Sequence, residues 1–214
     1  MPDITAAWWP SVMIYEFRTY ALVPGGLPEF LSLFSQALPK REEFSTLAAF
    51  WYTEIGPLDE VVHVWPYKDA AERVRVRAAA VQAQIWPPPT GHLIRTMRSD
   101  IFDPVSDVPA FPASVRTGCV EISTQVLKPF ALAKCGQSWA AYARGAACEA
   151  LLGVFASDIG GLNTSMQIWA HRDMDAWATG RGGPMRGVRL EHGYADSIVY
   201  EERRLMVPAP FSRY

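Results

Sequence analysis

The chain carries one stretch twice. Thr53-Glu54-Ile55-Gly56-Pro57-Leu58-Asp59, leading into Val62-His63-Val64-Trp65, returns in altered form as Ser157-Asp158-Ile159-Gly160-Gly161-Leu162-Asn163, leading into Gln167-Ile168-Trp169. Glu54 and Asp158, Gly56 and Gly160, Leu58 and Leu162, Trp65 and Trp169, and Asp69 and Asp173 all stand 104 positions apart. A constant offset running through turns and apolar runs alike is the mark of a duplicated structural unit. The 214 residues are therefore expected to fold as two similar halves, and any site has to be read against its counterpart.

Within the first half the apolar period changes in a definite order. Val12 to Tyr20 alternates, with Tyr15, Phe17 and Thr19 on one face and Glu16, Arg18 and Tyr20 on the other, which is strand spacing. Pro24-Gly25-Gly26 ends it. Pro28 then suits the first turn of a helix in which Leu27, Phe30, Leu31, Phe34 and Leu38 recur at helical spacing, with Pro39 expected to stop or kink it. Ala48 to Ile55 and Glu60 to Tyr67 read as a hairpin around Gly56-Pro57-Leu58-Asp59. Asp69 with Glu72 forms a capping box before a second helix, whose core stripe is read as Val74, Ala78, Val81 and Ile85. His92 to Phe102 alternates as a fourth strand. Arg73, Arg75 and Arg77 read as a solvated helix face.

The order β-α-β-β-α-β predicts a four-stranded antiparallel sheet covered on one face by two helices. The second half repeats it: a strand over Thr117 to Leu127, a helix over Pro129 to Cys148, the hairpin around Gly160-Gly161, a short helix from Asp173 cut off by Gly180-Arg181-Gly182-Gly183-Pro184, and a strand over about Ala195 to Val207. The expected organisation is an extension over residues 1–11 that packs Trp8 and Trp9 as an arm or lid, a first unit over 12–104, a proline-rich linker over 105–116 and a second unit over 117–214. Each sheet leaves one face open. The fold expected is α+β, with two ferredoxin-like units packed sheet to sheet as a barrel inside one chain.

Composition narrows the function classes. A net charge of −2 gives no electrostatic reason to expect nucleic acid or an anionic membrane surface. No apolar run is long enough to span a bilayer, and the first residues lack the order of a signal peptide, so a cytoplasmic location is expected. Cys119, Cys135 and Cys148 have no metal-ligand spacing and read as small buried hydrophobes. Phosphate-cradling glycine motifs, HExxH and dinucleotide fingerprints are absent from the sequence.

Ile14-Tyr15-Glu16-Phe17-Arg18-Thr19-Tyr20-Ala21-Leu22-Val23-Pro24-Gly25, the hairpin with Gly56-Pro57-Leu58 and Val62-His63-Val64-Trp65, and the ending Val207-Pro208-Ala209-Pro210-Phe211-Ser212 resemble the NIPSNAP domain family. The resemblance is strong over about residues 12–104 and weaker over 117–212. It implies the dimeric α+β barrel superfamily, which includes cofactor-free monooxygenases, small-molecule isomerases and haem proteins. It implies no single reaction. Glu16, Arg18 and Tyr20 correspond in the second copy to Glu121, Ser123 and Gln125, His63 to Gln167 and Pro57 to Gly161, so the two halves are not expected to carry equivalent sites.

The candidate chemistry sits on strands. Period 2 groups Glu16 with Arg18 and Tyr20, Tyr52 with Glu54, and His63 with Trp65. The expectation is that these faces look into a cavity between the sheets, with His63 exchanging a proton and Arg18 or Tyr20 stabilising an enolate or phenolate oxygen. Glu16 is the fourth catalytic candidate. Tyr52, Glu54, Trp65 and, from the second copy, Glu121, Gln167 and Trp169 are the expected substrate-binding walls. A structural alternative pairs Glu16 and Arg18 with Glu54 or Arg98. The function expected is a cofactor-independent enzyme acting on a small aromatic or polyketide-like molecule by proton transfer, rearrangement or oxygenation. The rivals are a non-catalytic ligand-binding or interaction protein and a haem enzyme using His92, His171 or His192. No metal is expected, and the two-unit chain could itself form a homodimer.

Overall fold

The computed structural model describes residues 13–112, 115, 117–145, 150–180 and 193–214. The Trp8-Trp9 extension, Cys148, His192 and most of the Gly180 to Pro184 loop lie outside the described residues. The first unit runs β1 (Ile14–Leu22), α1 (Leu27–Glu42), β2 (Ala49–Ile55), β3 (Glu60–Tyr67), α2 (Ala70–Gln82) and β4 (Ile94–Pro104). The second runs β5 (Cys119–Leu127), α3 (Leu132–Gly145), β6 (Leu151–Ile159), β7 (Thr164–His171), α4 (Met174–Gly180) and β8 (Ile198–Pro208).

The eight strands close into one barrel in the order β1-β3-β2-β8-β5-β7-β6-β4, with every neighbouring pair antiparallel. Each unit contributes a ferredoxin-like order, 4-1-3-2 in the first and 8-5-7-6 in the second. The seams between them are β2 with β8, where Trp51 lies opposite Pro208, and β4 with β6, where Pro104 lies opposite Phe155. Closure leaves the last strand of each unit paired to the other unit, which manages the sheet edges that an isolated unit would expose. The architecture is an intramolecular dimeric α+β barrel.

The duplication extends to backbone conformation. Gly56 and Gly160 have φ of 133° and 136°, and Asp59 and Asn163 have φ of 55° and 54°. Side chains with a Cβ avoid the first region, and Asp and Asn tolerate the second, which is why both hairpins repeat these residue types. Leu22 and Leu127 then donate their N–H groups to the Asp59 and Asn163 carbonyls in matching positions.

Three apolar clusters form. The barrel lumen is filled by Tyr15, Phe17, Trp51, Val62, Phe102, Ile122, Phe155, Met166, Ile168 and Met206. Phe17 meets Phe102 and Phe155 edge-on at 5.2 and 5.3 Å. One end is closed by Phe111 and Tyr214, with the Tyr214 hydroxyl donating to the Phe111 and Pro112 carbonyls. The other two clusters lie under α1 and α2 of the first unit and under α3 of the second. Cys119 and Cys135 are buried, as their small apolar character suggests.

Two helical expectations change. Pro39 neither stops nor marks the end of α1, which continues to Glu42 and so places Arg41 on the stripe of Phe30, Phe34 and Leu38 that faces the sheet. In α2 the face is inverted. Val74 and Val81 are 61 % and 57 % exposed, and the sheet-facing stripe is Arg73, Val76, Arg77 and Ala80. Asp69 caps it as expected, accepting from the Glu72 N–H, while Glu72 reaches back to the Lys68 N–H. The reason for the inversion is a charge below the helix, which Arg73 and Arg77 meet from one helix face.

Candidate functional site

That charge is Glu16. Its side chain is fully buried, and one oxygen, Oε1, accepts from Arg18 Nη1, Arg73 Nη2 and Ser99 Oγ, each at 2.7 Å, with Arg77 Nη1 at 3.5 Å. A carboxylate in the interior needs compensating donors or it is lost as an acid. Burial alone would raise the Glu16 carboxyl, but the Arg73 and Ser99 hydrogen bonds, with the Arg77 and Arg18 charges, hold it down at about 2. Its other oxygen, Oε2, is buried without a hydrogen-bond partner among the described residues.

Arg18 turns its Nε to the Tyr20 hydroxyl at 2.7 Å. Across the β1–β3 ladder, Arg18 lies opposite His63 and Glu16 opposite Trp65. His63 stacks on Phe50 at 5.6 Å and meets Tyr20 and Phe34 edge-on. The Trp65 indole N–H donates to His63 Nδ1 at 2.7 Å, so in the neutral ring the proton sits on Nε2. Burial, then the Arg18 charge, pushes the imidazole well below its ordinary pKa, with Glu16 opposing. His63 is thus a neutral hydrogen-bond donor, and its Nε2 has no partner among the described residues.

Arg41 completes the group. It is 2 % exposed, lies over the Trp65 ring at 4.4 Å and gives Nη2 to the Tyr67 hydroxyl at 3.1 Å. Burial lowers its pKa, partly offset by Tyr67 and Glu16. Its Nε and Nη1, and the Nε of Arg73, find no partner among the described residues. Arg77 and Glu16 act electrostatically on Arg41, His63 and Tyr67 alike, so these groups form one cluster.

All ten residues singled out from the sequence therefore fall on helix-side faces or at a hairpin end, and none lines the lumen. Glu16, Arg18, Tyr20, His63 and Trp65 come together, half-buried Tyr52 packs beside them, and Glu54 is exposed at the hairpin end. Glu121, Gln167 and Trp169 form the corresponding face of the second unit, too far round the barrel to be walls of the same pocket. The alternation was read correctly and assigned to the wrong side: two sheets closing on each other need their more apolar faces inward, so Tyr15, Phe17, Val62 and Val64 face the lumen. Glu16 and Arg18 do form an ion-pair network, with Arg73, Arg77 and Ser99 rather than Glu54 or Arg98. Arg41, Arg73, Arg77 and Ser99 were missed. The four-residue spacing of Arg73 and Arg77 was the available signal, since it puts both on one helix face.

The lumen offers little room. A cavity of about 80 Å³ at the end opposite Tyr214 touches Phe17, Thr19, Val62, Arg98, Thr124 and Arg204, far below the several hundred cubic ångströms usual for ligand pockets. A haem does not fit there. Its rim charges are paired, Arg98 with Asp100 at 2.7 Å and Arg204 with Glu202 at 2.7 Å and with Glu60. Exposed His92 bonds Glu29, and His171 sits half-buried at a strand end. No three His, Cys, Asp or Glu side chains among the described residues group as a metal cage.

The second unit shows what duplication has kept. Glu121 is also buried, but its Oε2 accepts from the Trp177 indole at 2.6 Å, where Arg73 stands in the first unit, and Arg203 lies 3.7 Å from Oε1. Gln167 bonds Ser165 in place of the His63 and Trp65 pair. Among the described residues the carboxylate persists with Arg203 beside it, while the histidine and the arginines at positions 18 and 73 have no counterparts.

A closed barrel of two ferredoxin-like units with its polar chemistry under the helices of one unit defines the chain as a tandem α+β barrel protein. It belongs to the NIPSNAP family, whose model matches residues 15–109 and 120–213. It is 29 % identical to human NipSnap homolog 3A over 213 residues, spanning 94 % of this chain and 85 % of that one. It is 34 % identical to zebrafish (Danio rerio) NipSnap homolog 1 over 99 residues, 45 % of this chain and 36 % of that one. Among solved structures, a provisionally assigned monooxygenase from Fusobacterium nucleatum superposes with a TM-score of 0.70 at 10 % identity, over 94 % of each chain. An anthrone oxidase-like protein superposes at 0.61 and 7 % identity, over 95 % of this chain and 94 % of that one. At such identities these two likenesses concern the fold. No helix among the described residues is long and apolar enough to cross a membrane.

Proposed function

We propose that this NIPSNAP protein binds a small molecule under α1 and α2 of its first unit and stabilises an oxyanion on it there. The observation that carries this reading is that several of the buried polar atoms without partners among the described residues, Glu16 Oε2, His63 Nε2, and the Arg41 and Arg73 nitrogens, fall in one cluster. Buried polar atoms are nearly always paired, and clusters of exceptions mark functional sites. Glu16, held at about 2, is too weak a base to take a proton from carbon. It serves to hold Arg18, Arg73 and Arg77 in place. The neutral His63 Nε2–H is the group suited to polarise a carbonyl, with the Arg18 charge nearby to favour the enolate or phenolate that forms. The base is solvent water or hydroxide: it takes the α-proton as the C–H bond breaks, and the electron pair of that bond becomes the enolate that His63 and Arg18 stabilise.

The aromatic surround of Tyr20, Phe34, Trp65 and Trp86 suits a flat aromatic or polyketide-like molecule, and the step requires no cofactor. That solved proteins of this fold include provisionally assigned monooxygenases and an anthrone oxidase-like protein fits such a substrate class. The test is exchange of the α-proton of 1-indanone for deuterium, followed by NMR in D2O. Wild-type protein is expected to accelerate exchange, and His63→Gln, which installs the residue of the second copy, to lose the acceleration while keeping the fold. Wild-type protein that binds indanone without accelerating exchange would leave a binding protein in place of an enzyme.

A further inference from the structure

The first-unit cluster is unbalanced in charge. Among the described residues, Arg18, Arg41, Arg73 and Arg77 surround a single carboxylate, Glu16, whose Oε1 already takes Arg18, Arg73, Ser99 and the more distant Arg77. Arg41 receives none of that compensation directly. Among the described residues its one hydrogen bond goes to a neutral phenol and its ring contacts are Trp65 at 4.4 Å and Trp86 at 5.7 Å, and a 2 % exposed guanidinium with two open nitrogens is a costly arrangement unless an anion meets it. A water molecule could satisfy the donors but not the charge.

The donor and acceptor inventory gives the ligand its chemistry. On the cluster's charged and imidazole groups, the atoms without partners among the described residues are donors at Arg41 Nε, Arg41 Nη1, Arg73 Nε and His63 Nε2, against one acceptor at Glu16 Oε2. A complement to that set is rich in acceptors and negatively charged. Arg41 has one face laid on Trp65 and one nitrogen on Tyr67, so what it offers is donors along the edge of a plane, the pattern that a planar carboxylate matches. Trp65, Trp86, Phe34 and Tyr20 line the remainder with aromatic surface. Along α2 the Arg73 and Arg77 side chains are 25 % and 35 % exposed, while Arg41 lies deeper. An anion would meet the two rim arginines first.

Resting on the small-molecule site proposed above, we infer that its ligand is a small aromatic acid whose carboxylate is held by Arg41 and Arg73. Among the described residues the second unit differs at this site, with Trp177 in place of Arg73 and Ser123 in place of Arg18 around Glu121.

The test compares benzoate with benzamide, which share a shape and differ in charge, by NMR titration of the intact chain with the Trp65 indole N–H as reporter. Benzoate is expected to bind roughly ten- to a hundredfold more tightly than benzamide, the span of one or two charge-assisted hydrogen bonds. Arg73→Gln, nearer the surface, is expected to remove most of that preference without unfolding, and Arg41→Met, which keeps the aliphatic contact with Trp65, to remove it as well. Equal binding of the two probes at Trp65 would overturn the carboxylate inference and leave the small-molecule site standing. No response of the Trp65 or His63 signals to either probe would overturn both. A benzoate preference unchanged in both variants would place the anion elsewhere and refute the assignment to these arginines.

Discussion

Replacing Glu16 by Gln removes one charge from beneath three arginines and keeps the shape of the side chain. Two routes give the cost. Breaking a buried ion pair by neutralising one partner costs about 3–5 kcal/mol. Independently, folding moves the carboxyl from 4.5 to about 2, and at about 1.4 kcal/mol per pKa unit this corresponds to about 3 kcal/mol held by the ionised form. The fully buried side chain makes screening a small correction. A loss of about 3–4 kcal/mol is expected at pH 7, or a fall in Tm of roughly 6–16 °C for a domain of this size. Because the folded pKa is depressed, this stability is present above about 4.5 and disappears as pH falls towards 2. Urea unfolding followed by tryptophan fluorescence, run on both proteins from pH 7 down to the acid limit of the fold, reads the difference. Glu121→Gln supplies the control: with Trp177 as its one short partner among the described residues, it is expected to cost only about 1.5 kcal/mol. A loss below about 1 kcal/mol for Glu16→Gln, or a difference that does not shrink with acid, would refute the account of Glu16 as the buried charge that holds Arg18, Arg73 and Arg77 in place.

Other perturbations test other parts of the barrel. Asp103 is buried near Asp158, and burial followed by that charge raises its carboxyl to about 6. Its raised folded pKa makes this acid stabilising below about pH 4 and lost as pH rises through 6. Asp103→Asn should therefore stabilise the protein at pH 7 by on the order of 1–2 kcal/mol and not at pH 4, as thermal unfolding at the two values will show. Phe17→Ala removes a ring packed against Phe102 and Phe155 in the lumen and should cost about 3–5 kcal/mol in denaturant unfolding. A cost near zero would mean that the lumen is an open pocket rather than a core.

Much of this protein is legible along the chain. The 104-residue offset, the hairpin glycines and the alternation of Tyr15 to Tyr20 depend on backbone sterics and side-chain period, which are local, and they yield the two units, the strand order within each and the grouping of Glu16, Arg18, Tyr20 and His63. What alternation cannot tell is which face is in. That is decided when the two sheets close at the β2–β8 and β4–β6 seams, since a lumen sealed by eight strands takes the more apolar face of each. The same closure turns Glu16 outward beneath α2, and its buried charge then draws Arg73 and Arg77 inward and leaves Val74 and Val81 in solvent, against the helix's own hydrophobic pattern. Arg41 belongs to the cluster only because α1 continues through Pro39 across the sheet. The residues of the site are thus written in the sequence, and their assembly is a consequence of tertiary electrostatics acting between elements far apart in the chain.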